Sequence, residues 1–123
     1  MQYMLLIYLD EQTLTQAERD ECYGASTQYA HRLAATGHYR ACAPLYPTAT
    51  ATSVRVRGGQ KLVTDGPFAE TREQLGGFFL VDARDLDEAI SIASQLPAGR
   101  YGTVEVRPVV EIQDLPQYTL KGE

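Results

Sequence analysis

The residues best suited to acid–base chemistry in this sequence flank one predicted tight turn, Asp65-Gly66-Pro67. Glycine admits a positive φ, proline holds φ at about −65°, and the aspartate can cap its own turn. A carboxylate held in such a turn is rigidly aimed, so Asp65 is a candidate acid–base group or polar ligand group. The alternative is that Asp65 only caps the turn.

The polar segment after this turn supplies two further candidates. Glu70 is a second candidate acid–base residue, and Arg72 is a candidate ligand-binding residue in the same cleft. The segment leads into Gly76-Gly77, where the absence of side chains lets a ligand or another backbone approach closely. A polar run beside a turn can also be solvated surface, and that alternative stays open.

Three candidates lie outside this segment. Tyr8 ends the first predicted strand, and its apolar ring with a hydroxyl suits either a ligand cleft or a dimer core. Arg107, on the last predicted strand, can bind a ligand carboxylate or pair with Glu105 or Glu111. His38 lies near a predicted sheet edge and can act as a general base, because an imidazole titrates close to neutral pH.

Composition limits the class of protein. A chain of 123 residues predicts one domain, and a net charge of −5 argues against nucleic acid as the main partner. Cys22 and Cys42 have no metal-ligand spacing, and His31 and His38 have no evident third ligand, so we predict no metal site and no obligatory cofactor. The apolar N-terminus has no basic segment or cleavage site and is too short to span a bilayer, which favours the cytoplasm and no membrane association.

The pattern of apolar residues predicts six strands and two helices, with a hairpin inserted between the two β-α units. A capping box at Thr15 and Glu18 starts a helix that ends near Gly37, and Asp85 caps a second helix. The predicted inward stripe of this second helix consists of Leu86, Ala89, Ile90, Ala93 and Leu96. Alternating residues predict strands at 3–9, 38–43, 50–57, 61–64, 77–82 and 103–112. The strands at 50–57 and 61–64 form a hairpin through Gly58-Gly59.

This order predicts an α+β, ferredoxin-like antiparallel sheet with two helices on one face. Two helices cannot cover both faces, yet Met4, Leu6 and Tyr8 would lie on the face that the helices leave open. Exposed apolar patches of that size usually mark interfaces. We therefore expect a homodimer formed through the open sheet face.

Four segments carry a resemblance to a known family: DGPFAETREQLGGF at 65–78, DLDEA at 85–89, VEVRP at 104–108 and YMLLIY at 3–8. Together they resemble the DGPF branch of the YCII-related protein family. The resemblance implies a dimeric ferredoxin-like α/β-barrel domain at residues 1–112 with a C-terminal tail at 113–123. The wider group includes enzymes that act on small ring compounds with a histidine and aspartate pair. In an ungapped reading, that histidine falls near Ser26.

Two functional hypotheses follow. One is small-molecule binding or acid–base catalysis on a small organic substrate, with Asp65, Glu70 and Tyr8 in the cleft. The other is a regulatory or interaction module, because the resemblance implies genes encoded beside extracytoplasmic-function sigma factors. An enzyme should have a deep polar cleft, whereas an interaction module should have a shallow exposed patch.

Overall fold

The computed structural model describes residues 1–116, which contain six strands, two α-helices and two short 3-10 helices at Thr48–Thr50 and Pro97–Arg100. In chain order, the strands and α-helices are β1 (Gln2–Leu9), α1 (Gln16–Ala35), β2 (Tyr39–Pro44), β3 (Thr52–Arg57), β4 (Gln60–Asp65), β5 (Gln74–Asp82), α2 (Leu86–Ser94) and β6 (Gly102–Pro108). The main antiparallel sheet has the strand order β2-β5-β1-β6, and β3 pairs with β4 in a separate two-stranded sheet. The fold is the ferredoxin-like α+β fold that the sequence predicts.

Both helices begin at the predicted capping residues. The Thr15 hydroxyl accepts a hydrogen bond from the Glu18 N–H at 3.1 Å, and the Glu18 carboxylate accepts one from the Thr15 N–H at 2.9 Å. The Asp85 carboxylate accepts a hydrogen bond from the Glu88 N–H at 2.9 Å. At its other end, α1 is followed by Gly37, which has a φ of +80°. Within residues 1–116, neither helix is long and apolar enough to cross a membrane.

The core lies between the helices and one face of the main sheet. Tyr3, Leu5 and Ile7 of β1 point into it, and Leu5 is fully buried. The helices contribute Cys22, Tyr29 and Leu33 from α1 and Ala89, Ile92 and Ala93 from α2. The predicted inward stripe of α2 is wrong in two places: Leu86 and Ile90 are exposed. The helix is rotated about its axis so that Ile92 packs inward instead. Because α2 has apolar residues on two sides, its sequence did not determine this rotation.

We call the opposite side of the main sheet the open face. Its apolar members are half-buried residues of the two central strands: Met4 and Leu6 on β1, and Phe78 and Leu80 on β5. They form cross-strand pairs, Met4 with Leu80 and Leu6 with Phe78. Both helices therefore lie on one face, as the sequence predicts, and an apolar surface remains on the other.

Two strand boundaries differ from their predictions by three or more residues. β5 begins at Gln74 rather than at residue 77, because its first residues find partners at the end of β1. β6 ends at Pro108 rather than at residue 112, because β1 begins at Gln2 and offers no further partners after the Val109 N–H donates to the Gln2 carbonyl. Of the predicted tail, residues 117–123 lie outside the described residues.

Tyr29 links α1 to α2 by a hydrogen bond, and its ionisation makes the free energy of unfolding depend on pH. Its buried hydroxyl donates to the Ile92 carbonyl at 2.8 Å, and burial raises its pKa above the ordinary value of 10.0. The folded state therefore holds this proton more tightly than the unfolded chain. Its stabilising effect is complete below about pH 10 and is lost as pH rises through the folded pKa.

We expect Tyr29→Phe to lower the free energy of unfolding by about 1–3 kcal/mol at pH 7, because the Ile92 carbonyl loses its donor. The difference from wild type should shrink above about pH 10. Urea denaturation at pH 7 and at alkaline pH measures both values. Tyr46→Phe is the control, since Tyr46 is 86% exposed. A difference that stays constant with pH would contradict this assignment.

Candidate functional site

Three polar side chains form a connected row on the open face, across the β1–β6 pair. The Tyr8 hydroxyl donates to Glu105 Oε1 at 3.2 Å, and Glu105 Oε2 lies 3.7 Å from Arg107 Nη1. Glu105 pairs with Leu6 in the strand register, so it lies diagonally beside Tyr8. We call Tyr8, Glu105 and Arg107 the polar row.

The row combines a proton donor, a proton acceptor and a cation. Burial raises the pKa of Tyr8, and the hydrogen bond and negative charge of Glu105 raise it further, while Arg107 acts in the opposite direction. Tyr8 therefore keeps its proton well above neutral pH. Glu105 can accept a proton and Arg107 can balance a negative oxygen, which are the parts that acid–base chemistry needs.

Two local features of the strands position Tyr8. A bulge at Gly76 shifts the register, so that Ile7 pairs with Gly77 and Tyr8 pairs with Leu75. On the other side, β6 passes so close that a Cβ on Gly102 would overlap the Tyr8 carbonyl oxygen. Bulges of this kind re-aim side chains next to functional sites.

The polar segment after the predicted turn returns to the same end of the sheet. Thr103, the register partner of Tyr8, donates to Glu73 Oε1 at 2.8 Å. Arg72 Nε lies 3.6 Å from Asp10 Oδ2, and both residues line a cavity of about 420 Å³. Two predicted ligand-binding residues, Tyr8 and Arg72, therefore lie at the same end of the sheet, whereas Arg107 pairs with Met4 farther along β1.

The three predicted catalytic residues do not come together. Asp65 is exposed at the end of β4, and Glu70 is exposed in the following loop. His38 precedes β2, where its carbonyl accepts from the N–H of Asp82, the last residue of β5. The nine residues of β5 separate that end of the sheet from the loop that enters at Gln74, a length of roughly 30 Å. One cleft of a single chain cannot hold all three, and their catalytic roles stay predictions.

His38 has a structural partner at its own end of the sheet. Its Nε2 lies 3.3 Å from Glu88 Oε1, and its Nδ1 lies 2.7 Å from the Thr36 hydroxyl. The Arg84 N–H, the Arg84 guanidinium and His38 lower the pKa of Glu88, against a smaller effect of burial. The imidazole therefore links the start of β2 to α2.

A small cavity of about 120 Å³ lies between α1 and the sheet. Its lining is mostly apolar and includes Ser26, Gly76 and Gly77. The polar groups on its lining are the thiols of Cys22 and Cys42 and the hydroxyls of Tyr23, Ser26 and Thr27. Burial raises the pKa of the Cys22 thiol, so that thiol stays protonated at neutral pH. This cavity can hold a small apolar group but provides no carboxylate or imidazole.

A wider groove of about 770 Å³ runs between α1 and α2. Charged side chains at its rim, Glu21, Arg32 and Arg100, are all exposed. Water screens charges in such positions, as it also does at Arg107 of the polar row, whose side chain is 67% exposed.

Thr103 is a site residue that the sequence did not single out, and Glu105 was named only as a partner for Arg107. Alternation along β6 places residues 103, 105 and 107 on one face, which is a signal available in the sequence. Within residues 1–116, no three His, Cys, Asp or Glu side chains gather in a way that could hold a metal ion.

The comparison with protein families matches the YCII-related domain to residues 1–113. The chain belongs to the YCII-related family. An uncharacterised protein from Rhizobium meliloti (strain 1021) is 40% identical over 115 residues, which cover 89% of this chain and 92% of that protein.

A solved structure shares the fold of this YCII-related chain. It is 5-chloro-2-hydroxyhydroquinone dehydrochlorinase from Burkholderia phenoliruptrix AC1100, in complex with 2,5-dihydroxybenzoquinone. The TM-score is 0.55 and the sequence identity 17%, over 92% of this chain and 97% of that one. At this identity the likeness concerns the fold alone.

Proposed function

We propose that this protein binds a small cyclic organic molecule at the polar row and acts on it by acid–base chemistry. The observation that carries the proposal is the Tyr8–Glu105–Arg107 chain, with contacts of 3.2 Å and 3.7 Å, beside an apolar surface. Support also comes from the structural neighbour, a dehydrochlorinase in complex with a dihydroxybenzoquinone.

The residues around the row suit a flat ring with oxygen substituents. Leu6 and Phe78 are cross-strand partners on the open face, and Leu75 lies opposite Tyr8. These side chains offer apolar surface to a ring, while the row offers hydrogen bonds at its edge. Ligand sites usually combine such apolar contacts with a few polar groups that fix orientation.

Each member of the row has a distinct role in the proposed chemistry. When the substrate binds, the Tyr8 hydroxyl redirects its single hydrogen bond from Glu105 to a substrate oxygen that becomes negative, and Arg107 stabilises that charge. Glu105 accepts the proton that the substrate loses and returns it to the product or to water. The step transfers only a proton and changes no oxidation state, so it needs no redox partner.

We expect Tyr8→Phe to weaken binding of 2,5-dihydroxybenzoquinone by about tenfold or more, because the bound oxygen loses its donor. An absorbance titration with purified protein measures the dissociation constant. In wild type, binding should also weaken at alkaline pH as Tyr8 ionises, above the ordinary tyrosine value of 10.0 because its pKa is raised. The variant should lack this alkaline change.

Tyr46→Phe is the matched control, since it removes a hydroxyl from a tyrosine that is 86% exposed. We expect it to bind like wild type. Equal binding by Tyr8→Phe and wild type, with the same pH profile, would refute the proposed site.

A further inference from the structure

The groove of about 770 Å³ between the helices reaches the edge strand β6 on the helix side of the main sheet. Val104 and Val106 line it from β6 and are only half-buried. Side chains alternate along a strand, so these two valines face away from Glu105 and Arg107 of the polar row. The groove is therefore a separate surface from the ligand site proposed above.

Small side chains keep the two helices apart along this groove. Ala25 of α1 and Ala93 of α2 line it, and Gly99 lines it just after α2. A Cβ on Gly99 would meet only Val104 Cγ2, at 3.9 Å, so the space beside this residue is open. The volume of the groove lies within the range of roughly 300–1,000 Å³ that is typical of sites for small organic molecules.

Ile90 of α2 adds exposed apolar surface to the groove. It is 49% exposed, because the rotation of α2 turns it away from the core. Leu86 is the other residue of α2 that this rotation leaves exposed, and it does not line the groove. An apolar group that covers Ile90, Val104 and Val106 would remove their surface from water, which favours binding.

One cation at the rim of the groove is held in place by its neighbours. The Arg32 guanidinium lies over the Tyr29 ring, 5.2 Å from the ring centroid. The Tyr29 hydroxyl is in turn fixed by its hydrogen bond to the Ile92 carbonyl at 2.8 Å. Stacking on a ring face uses none of the guanidinium N–H groups, and no acceptor among residues 1–116 engages them. These donors are available to a ligand.

A second cation, Arg100, lies at the rim of the same groove, at the end of the short helix Pro97–Arg100. Its guanidinium also has no hydrogen-bond or ion-pair partner in the described part of the chain. The charged residues that line the groove are these two arginines and Glu21, a net charge of +1. The whole chain carries −5, so the groove attracts an anion more than the chain as a whole does.

We propose that this groove binds a small amphipathic carboxylate. The apolar part of the ligand covers Ile90 and the two valines of β6, and its carboxylate accepts hydrogen bonds from Arg32 and Arg100. Because both arginines are exposed, the electrostatic part of the affinity is modest and falls as ionic strength rises.

Fluorescence titration with 2-naphthoate tests the groove, and 2-naphthamide is the uncharged counterpart of this probe. At low ionic strength we expect wild type to bind the carboxylate at least about fivefold more tightly than the amide, and this preference to shrink in high salt. Arg32→Gln with Arg100→Gln should abolish the preference. The matched control is Arg55→Gln with Arg57→Gln, which removes two exposed arginines of the hairpin that do not line the groove. It should keep the preference.

The variant Ile90→Ser tests the apolar part of the groove. It should weaken binding of both probes by about threefold or more, because the ring of either probe covers this side chain. Leu86→Ser is the matched control on the same helix, since Leu86 is 50% exposed and lies outside the groove. It should bind both probes like wild type.

Circular dichroism checks that each variant is folded before its binding is scored. The inference would be overturned by no detectable binding of millimolar 2-naphthoate, by equal binding of carboxylate and amide, or by an unchanged preference after loss of Arg32 and Arg100. A loss of 2-naphthoate binding in Arg107→Gln, with none in Arg32→Gln with Arg100→Gln, would place the probe at the polar row and would also overturn it.

Discussion

Replacing Gly102 with alanine is expected to lower the free energy of unfolding by about 3 kcal/mol or more, or to prevent folding. A Cβ at this position would overlap the Tyr8 carbonyl oxygen and crowd the backbone of Leu9. Backbone atoms paired in a sheet cannot rotate away as the end of a side chain can. β6 would therefore have to move off β1, which also separates Glu105 and Arg107 from Tyr8.

Urea denaturation and a titration with 2,5-dihydroxybenzoquinone measure the two consequences. Gly99→Ala is the matched control three residues earlier, because a Cβ there meets only Val104 Cγ2 at 3.9 Å, an ordinary contact. Gly24→Ala, inside α1 with nothing within 4 Å, should instead stabilise by about 0.8 kcal/mol. A Gly102→Ala protein as stable as the Gly99→Ala protein would show that β6 is not held this closely.

Replacing Leu5 with alanine is expected to lower the free energy of unfolding by about 3–5 kcal/mol. Leu5 is 0% exposed at the centre of β1, and its register partners are Phe79 on β5 and Val106 on β6. Removing three carbons leaves a cavity that these neighbours cannot fill without moving both strands. Thermal and urea denaturation measure the loss.

Leu6→Ala is the internal control, one residue later and on the open face. Leu6 is half-buried, so we expect a loss of at most about 1.5 kcal/mol in the single chain. Equal losses at Leu5 and Leu6 in dilute protein would contradict the placement of the core on the helix side of the sheet.

Local signals predicted the elements well. The capping box of Thr15 and Glu18 and the glycine pair of the hairpin act over three or four residues, and each is present as predicted. Alternation along β1 predicted which residues share a face. The predicted stripe of α2 was wrong at Leu86 and Ile90. With Ile92, this short helix has apolar residues on more than one side, so packing against the sheet decides its rotation.

The positions of the candidate site residues were also predicted only in part. Sequence reasoning selected Tyr8, Arg72 and Arg107 by residue type and position in the chain. The structure places Tyr8 and Arg72 at one end of the sheet, whereas Arg107 pairs with Met4 toward the other end. Sequence reasoning could not separate Tyr8 and Arg72 from His38, which has suitable chemistry but lies at the opposite end. The order of strands in a sheet decides such distances, and that order depends on long-range pairing.

Composition, capping residues and the alternation of apolar side chains were enough to determine the ferredoxin-like fold, the two helices on one face and the open face opposite. The tertiary structure alone decided that the Tyr8 hydroxyl contacts Glu105, 97 positions away in the chain. The physical reason is range: caps and turns are set by neighbouring residues, whereas a cross-strand contact exists only after β6 has paired with β1 in one register.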